Sequence, residues 1–270
     1  MLGKLLTILL ILQTTEAALK RYDGDQVFRI VPINYEQLSF VGQFIEMPSD
    51  SFDFWRMPSK IGEYVDLRVA ANHVNVFKAQ LNANNIPYTI AIDDVQQLID
   101  ETEKPIAKKQ RGGKVNIVGT FPELADLYTW MDDTCKQHSD MASCGTYGQS
   151  YENRTLAYMK IGAPSASSKK VIVIESTIHA REWLAMATTV YLVDKMLNQY
   201  NTDATVKRMM DTYDWIIIPT ANPDGYEYSK TSERLWRKTR SPTNIARCVG
   251  VDPNRNWDHN WSSKFLFHFL

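Results

Sequence analysis

The sequence predicts an α/β protein in two units: a ferredoxin-like β-α-β-β-α-β sandwich, followed by a partial mixed-sheet α/β/α unit. Three observations predict it. Residues 20–98 alternate apolar runs of strand and helix period in that order. A charged, Pro-containing stretch ending in Gly-Gly, residues 99–113, then interrupts the pattern. Beyond it, long helical runs alternate with strands whose apolar residues are consecutive, as in a sheet covered by helices. With 270 residues, the chain has room for about two domains.

Residues 1–17 carry Lys4, an apolar run from Leu5 to Leu12, and small residues spaced for cleavage after Ala17. That pattern predicts a secretory signal peptide and an extracellular product. The run is too short to span a bilayer, and no later segment reaches spanning length without charges, so no membrane partner is expected. A formal net charge of -1 gives no sign of a nucleic-acid partner.

In the first unit, "QVFRIVPI" (26–33) is rich in β-branched residues and reads as a strand. "YEQLSFVGQFI" (35–45) has helical spacing. "SFDFWRM" (51–57) and "YVDLRVA" (64–70) read as strands joined by the turn-like "PSKIGE". "HVNVFKAQLNAN" (73–84) puts Val74, Phe77 and Leu81 on one helical face, and "PYTIAI" (87–92) is a strand again. Residues 99–113 read as a linker whose basic residues, Lys109 and Arg111 among them, are open to a trypsin-like protease.

In the second unit, residues 121–138 read as a helix, 156–162 and 169–176 as strands, and 182–201 as a long helix. Val171 to Ile174 are four consecutive apolar residues, which predicts a central strand. "YDWIIIPTANPDGY" (213–226) reads as a buried strand ending in an Asn-Pro-Asp-Gly turn. Of the three cysteines, Cys135 and Cys144 are close enough to close a small loop. The alternative is a pair of buried thiols. Cys248 is left without a partner either way.

The chemistry gathers at "STIHAREWLA", residues 176–185. His179 and Glu182, three apart after a strand, can share a cation on one side of a turn, and their nitrogen and oxygen donors suit zinc. The pair alone is a common coincidence. Two further segments give it company. "SERLWRKTRS" supplies Arg237, able to polarise a carbonyl, and "GVDPNRNWD" sets Asn254 beside Arg255, suited to a free carboxylate.

With those residues in view, the chain resembles the pancreatic-type zinc carboxypeptidases (the A/B family) in their secreted zymogen form. The resemblance runs from about Asp23 to Trp257 and rests on "YDGDQVFRIVP", "IHAREW", "NPDGYEYS", "LWRKTRS" and "GVDPNRNW" in this order. It implies an activation pro-domain at 20–98, an activation linker at 99–113 and a carboxypeptidase domain from 114 to 270. It also implies one zinc ion bound by His179 and Glu182. By the same resemblance Arg181 lines the substrate groove, Arg237 is catalytic and stabilises the oxyanion, and Asn254 and Arg255 hold the substrate's terminal carboxylate. Asp252 would accept the hydrogen bond from the other ring nitrogen of His179. The substrates implied are the C-termini of peptides or proteins, and activation implies a trypsin-like protease cutting near Lys109 or Arg111.

The family's second histidine ligand, its glutamate base and its capping tyrosine belong to positions beyond Trp257, where this sequence reads "DHNWSSKFLFHFL". The chain is therefore expected to be shortened at its C-terminus, with residues 258–270 atypical, as an alternative transcript, a retained intron or a faulty gene model would produce. The expectation is a carboxypeptidase precursor by family and a catalytically inactive chain as written. The alternative is a binding or inhibitory module of pro-domain type. A metal-free α/β binding protein is the third reading, and the four catalytic-unit motifs together argue against it.

Overall fold

In the computed structural model, residues 19–102, 110–111, 114–245 and 248–258 are described. The expected signal peptide, Lys109, and the tail from residue 259 onward lie outside them.

Strands β1 (Gln26–Ile30), β2 (Phe52–Arg56), β3 (Val65–Val69) and β4 (Tyr88–Ile92) pair antiparallel in the order β2-β3-β1-β4. Alternation decides which face is apolar. Phe28, Ile30 and Leu67 point to one side and meet Val41 of α1 (Tyr35–Gly42) and Phe77 and Leu81 of α2 (Val74–Ala83). The predicted apolar face of α2 is the buried one. Asn34 starts α1 by accepting the Gln37 N–H.

The opposite face of this sheet is covered by a helix that the sequence reading did not separate from the linker. α3 (Val95–Thr102) buries Val95 and Ile99 against Tyr22 and Val27, with Leu235 of the second unit packed on the same cluster. Residues 99–102, expected as linker, are thus its last turn. The cap was legible: Asp94 Oδ1 accepts the Gln97 N–H at 3.0 Å. Charged residues after Ile99 hid the rest. Gln110–Arg111 and Lys114–Val115 form two short strands, β5 and β6, paired antiparallel.

The second unit contains α4 (Leu124–Gln137), β7 (Ala142–Gln149), β8 (Thr155–Ile161), β9 (Lys170–Glu175), α5 (Trp183–Gln199), α6 (Ala204–Thr212), β10 (Tyr213–Ile218) and α7 (Pro223–Thr231). Its sheet runs β7-β8-β10-β9, antiparallel except for the parallel pair β10–β9. Met159, Ile161, Trp215 and Ile217 face a core shared with Leu127 of α4 and Val190 of α5. A disulfide between Cys135 and Cys144 ties α4 to β7, and Cys248 is a free thiol.

Two expectations are corrected here. Among the described strands β9 is an edge, and β10 is interior, flanked by β8 and β9. A consecutive apolar run says that both faces want cover but not what supplies it. In β9, Ile172 and Ile174 pack on the core, while Val171 and Val173 remain 52% and 60% exposed. The Asn-Pro-Asp-Gly segment is not a turn after a long strand. The strand ends at Ile218, and Asn222 caps α7 by accepting the Gly225 N–H, with Pro223 in the first helical turn.

The parallel pairing fixes where the chemistry sits. The C-terminal ends of β9 and β10 lie side by side, and the Ser176 N–H donates to Ile218 O at 3.0 Å while the Ala221 N–H donates to Ser176 O at 3.0 Å. The loops that follow therefore share one end of the sheet, where ligand sites gather in such folds.

Candidate metal centre

The loop after β9 is held before it turns. Ser176 Oγ donates to Pro219 O at 2.6 Å, and Thr177, with φ at 54°, donates Oγ1 to the same carbonyl at 3.3 Å. The Ala180 N–H donates to Arg237 O at 3.1 Å, joining this loop to "LWRKT". Asn222, buried, donates Nδ2 to Ile178 O at 3.2 Å and to Lys238 O at 3.0 Å, so it ties the same two segments together. Gly225 lies against this clamp: a Cβ there would come within 2.5 Å of Asn222 Nδ2 and 2.7 Å of Lys238 O. These contacts give Asn222 and Gly225 a role in holding the two segments together.

Within that frame the turn 179–182 closes, with the Glu182 N–H donating to His179 O at 3.2 Å. Glu182 occupies the cap position of α5 but makes no capping bond, which leaves its carboxylate for the histidine. His179 is 7% exposed. Its Nδ1 lies 3.0 Å from Glu182 Oε1 and its Nε2 lies 3.1 Å from Asp252 Oδ1. Arg237 Nε donates to the other oxygen of Asp252 at 3.0 Å, and Arg237 Nη1 lies 3.5 Å from Glu182 Oε1. Four side chains from three separate segments thus form a closed ring in which two carboxylates alternate with an imidazole and a guanidinium.

Asp252 is the hub. Burial alone would raise its carboxyl; the Arg237 hydrogen bond and charge, the Asn254 N–H and His179 together outweigh that and hold it below the usual carboxylate range. An ionised Asp252 accepts Nε2–H, which leaves the Nδ1 lone pair facing the Glu182 carboxylate. Two acceptors facing each other need a proton or a cation between them. Donors about 2 Å from a tetrahedral zinc ion stand roughly 3.3 Å apart, close to the separation of Nδ1 and Oε1. The donor types and spacing therefore fit zinc as far as two ligands go. Among the described residues no group of three or more His, Cys, Asp or Glu could hold a metal.

The remaining candidates are placed differently. Arg181 turns away from the ring and donates Nη1 to Asp53 Oδ2 of β2 at 2.5 Å, with both side chains mostly buried. Asp53 was not singled out from the sequence. It sits 128 positions from Arg181, and no local pattern marks such a partner. Asn254 and Arg255 lie exposed in the 3-10 turn Pro253–Arg255 that Asp252 caps, and Arg255 donates Nη1 to Asn254 O at 3.0 Å. Of the other histidines, His73 stacks on Phe52 in the first unit and His138 ends α4, while His259 and His268 lie outside the described residues. Arg111 is described in backbone only, as part of β5.

Comparison with known proteins gives the following. A family model described as zinc carboxypeptidase matches residues 127–268, and one described as carboxypeptidase activation peptide matches residues 28–102. Over 241 residues the chain is 36% identical to carboxypeptidase A2 of Rattus norvegicus, covering 88% of this chain and 57% of that protein. Over 247 residues it is 36% identical to carboxypeptidase A1 of Bos taurus, covering 90% of this chain and 59% of that protein. The chain thus spans well under two thirds of the length of these relatives. Among solved structures, thrombin activatable fibrinolysis inhibitor matches with a TM-score of 0.77 at 26% identity, covering 89% of this chain and 61% of that one. Carboxypeptidase A from Helicoverpa armigera matches with a TM-score of 0.77 at 25% identity, covering 90% and 60%.

Proposed function

Because the chain belongs to the zinc carboxypeptidase family, we propose that it is the precursor form of a secreted zinc metallocarboxypeptidase and carries part of that enzyme's centre. Its substrates are the free C-termini of peptides or proteins. The observation that carries the reading is His179 held between Glu182 and Asp252, with Arg237 on the same aspartate.

Each residue has a physical task in this reading. His179 Nδ1 and Glu182 would hold the zinc ion. Bound there, the ion supplies a Lewis acid for the scissile carbonyl. Asp252 fixes the histidine tautomer and aims Arg237, whose guanidinium polarises the carbonyl and stabilises developing negative charge. Asn254 and Arg255, exposed beside Asp252, take the terminal carboxylate of the substrate. Arg181 lines the groove and in the uncleaved chain is neutralised by Asp53. A trypsin-like protease cutting at Lys109 or Arg111 would release that contact.

A catalytic zinc takes three protein ligands and works with a general base. Among the described residues two of the ligands stand together and no carboxylate base is positioned beside them, so the chain is expected to bind zinc weakly and to hydrolyse no peptide. The alternative role, a binding or inhibitory module built on the first unit, draws on the Arg181–Asp53 contact, which presents that unit to a substrate-binding arginine.

The test is to express the chain, cleave it in the linker, add zinc and follow release of C-terminal residues from a chromogenic peptide, with a calorimetric zinc titration in parallel. We expect no turnover, and micromolar or weaker zinc binding that is lost in His179→Ala and Glu182→Ala. Robust turnover that depends on Glu182 overturns the inactivity. Nanomolar binding would reveal a third ligand, and binding indifferent to both substitutions removes the site.

A further inference from the structure

The hairpin joining β7 to β8 carries Asn153-Arg154-Thr155, and we propose that Asn153 is a site of N-linked glycosylation. This rests on the reading of the chain as a secreted product. The triplet has the acceptor pattern, with no proline in the middle. Pattern alone is common; the geometry of the loop adds the argument.

The loop is tied down by hydrogen bonds, and the middle residue of the triplet is the one they engage. Ser150 N–H donates to Arg154 O at 2.8 Å, and Asn153 N–H donates to Ser150 O at 3.1 Å. Arg154 Nη1 donates to Asp224 Oδ1 at 2.9 Å, and that carboxylate, 4% exposed at the start of α7, also accepts Ser150 Oγ at 2.6 Å and the Glu152 N–H at 3.0 Å. With Arg154 clamped, its two neighbours face outward. Asn153 and Thr155 are both exposed, and among the described residues neither side chain makes a hydrogen bond. The backbone of Thr155 is engaged, its carbonyl accepting the Tyr128 hydroxyl at 2.6 Å, so the hydroxyl of Thr155 is presented from an anchored residue.

The turn itself explains an asparagine at this position. Asn153 has φ at 61°, where asparagine is one of the few residues tolerated. It does not use the carboxamide or the hydroxyl two residues later. Those are the two groups that glycosyl transfer requires: the amide nitrogen as nucleophile and the hydroxyl to position the acceptor. In the transfer, the Asn153 amide nitrogen forms a bond to the anomeric carbon of a lipid diphosphate-linked oligosaccharide. The bond from that carbon to the phosphate oxygen breaks, the lipid diphosphate leaves with the electron pair, and the nitrogen loses one proton. The glycan would stand at the end of β7, whose outer side is unpaired among the described strands, and would hinder addition of a further strand there.

The experiment is translation of the full chain with microsomes, followed by protease protection, endoglycosidase treatment and peptide mass analysis. Asn260-Trp261-Ser262 is a second acceptor pattern outside the described residues, so Asn260→Gln serves as the background. In that background we expect one glycan, lost with Asn153→Gln or Thr155→Ala and retained with Thr155→Ser. A protected chain whose Asn153 peptide stays unmodified overturns the site alone. A chain that never becomes protected overturns the secreted reading and the site with it.

Discussion

Thr177 is a β-branched residue in the left-handed region, 2% exposed, two positions before His179. That conformation costs a non-glycine residue on the order of 1–2 kcal/mol, and its single long hydrogen bond to Pro219 O returns little of it. Thr177→Gly is expected to raise stability by about 1 kcal/mol, read from denaturant midpoints at constant slope. No gain would mean that packing around the threonine holds it there without strain. Asp252 makes the opposite case. Replaced by alanine, it frees the ring of His179 and drops Arg237, and zinc affinity should fall about 10–100-fold. An unchanged calorimetric titration would show that Asp252 does not orient the ligand. His179, Glu182, Arg237 and Asp252 were legible because each lies inside a short, distinctive motif. Asp53 was not, because its meaning depends on a partner in the other unit.

At the scale of elements, most strands and the longest helices were readable from period, while β7, α6 and α3 were not read at all. Val171–Ile174 looked central because four apolar residues carry no record of whether their second face is covered. α7 was hidden inside a Pro-Asp-Gly sequence that serves turns and helix starts equally well. β10 holds a further prediction. Burial would raise the Asp214 carboxyl, but hydrogen bonds and charge from Lys169 and Lys160 outweigh it and hold it low. A carboxylate depressed in the folded state adds stability above its unfolded pKa, and that stability is lost as pH falls through the folded value. Asp214→Asn should therefore cost stability at about pH 6 and much less at about pH 3, so its pH profile flattens in the acid range. Parallel profiles for the two proteins would show that the lysines do not read this charge.

For the whole molecule, β9 has an unpaired edge among the described strands, together with the exposed Val171 and Val173. Exposed apolar edges invite strand addition. The 270-residue chain should associate in a concentration-dependent way, and Val173→Lys should weaken that association in sedimentation without lowering the melting temperature. Equal association of both proteins would place the contact elsewhere. The order of the first unit's β-α-β-β-α-β elements was legible, because that alternation is local, but α3, which runs into the stretch expected as linker, was not. What joins the units, Arg181 to Asp53 and Leu235 to the α3 cluster, was not. The parallel pairing of β10 with β9 has a consequence for the order of folding. β9 and β10 are joined only after the whole α5–α6 crossover has closed, and His179 meets Asp252 across 73 positions. Loop closure of that length is slow compared with the formation of a single helix or hairpin. The ring around Asp252 therefore closes later than the helices and hairpins that carry its members, and a metal held there would report on that late step.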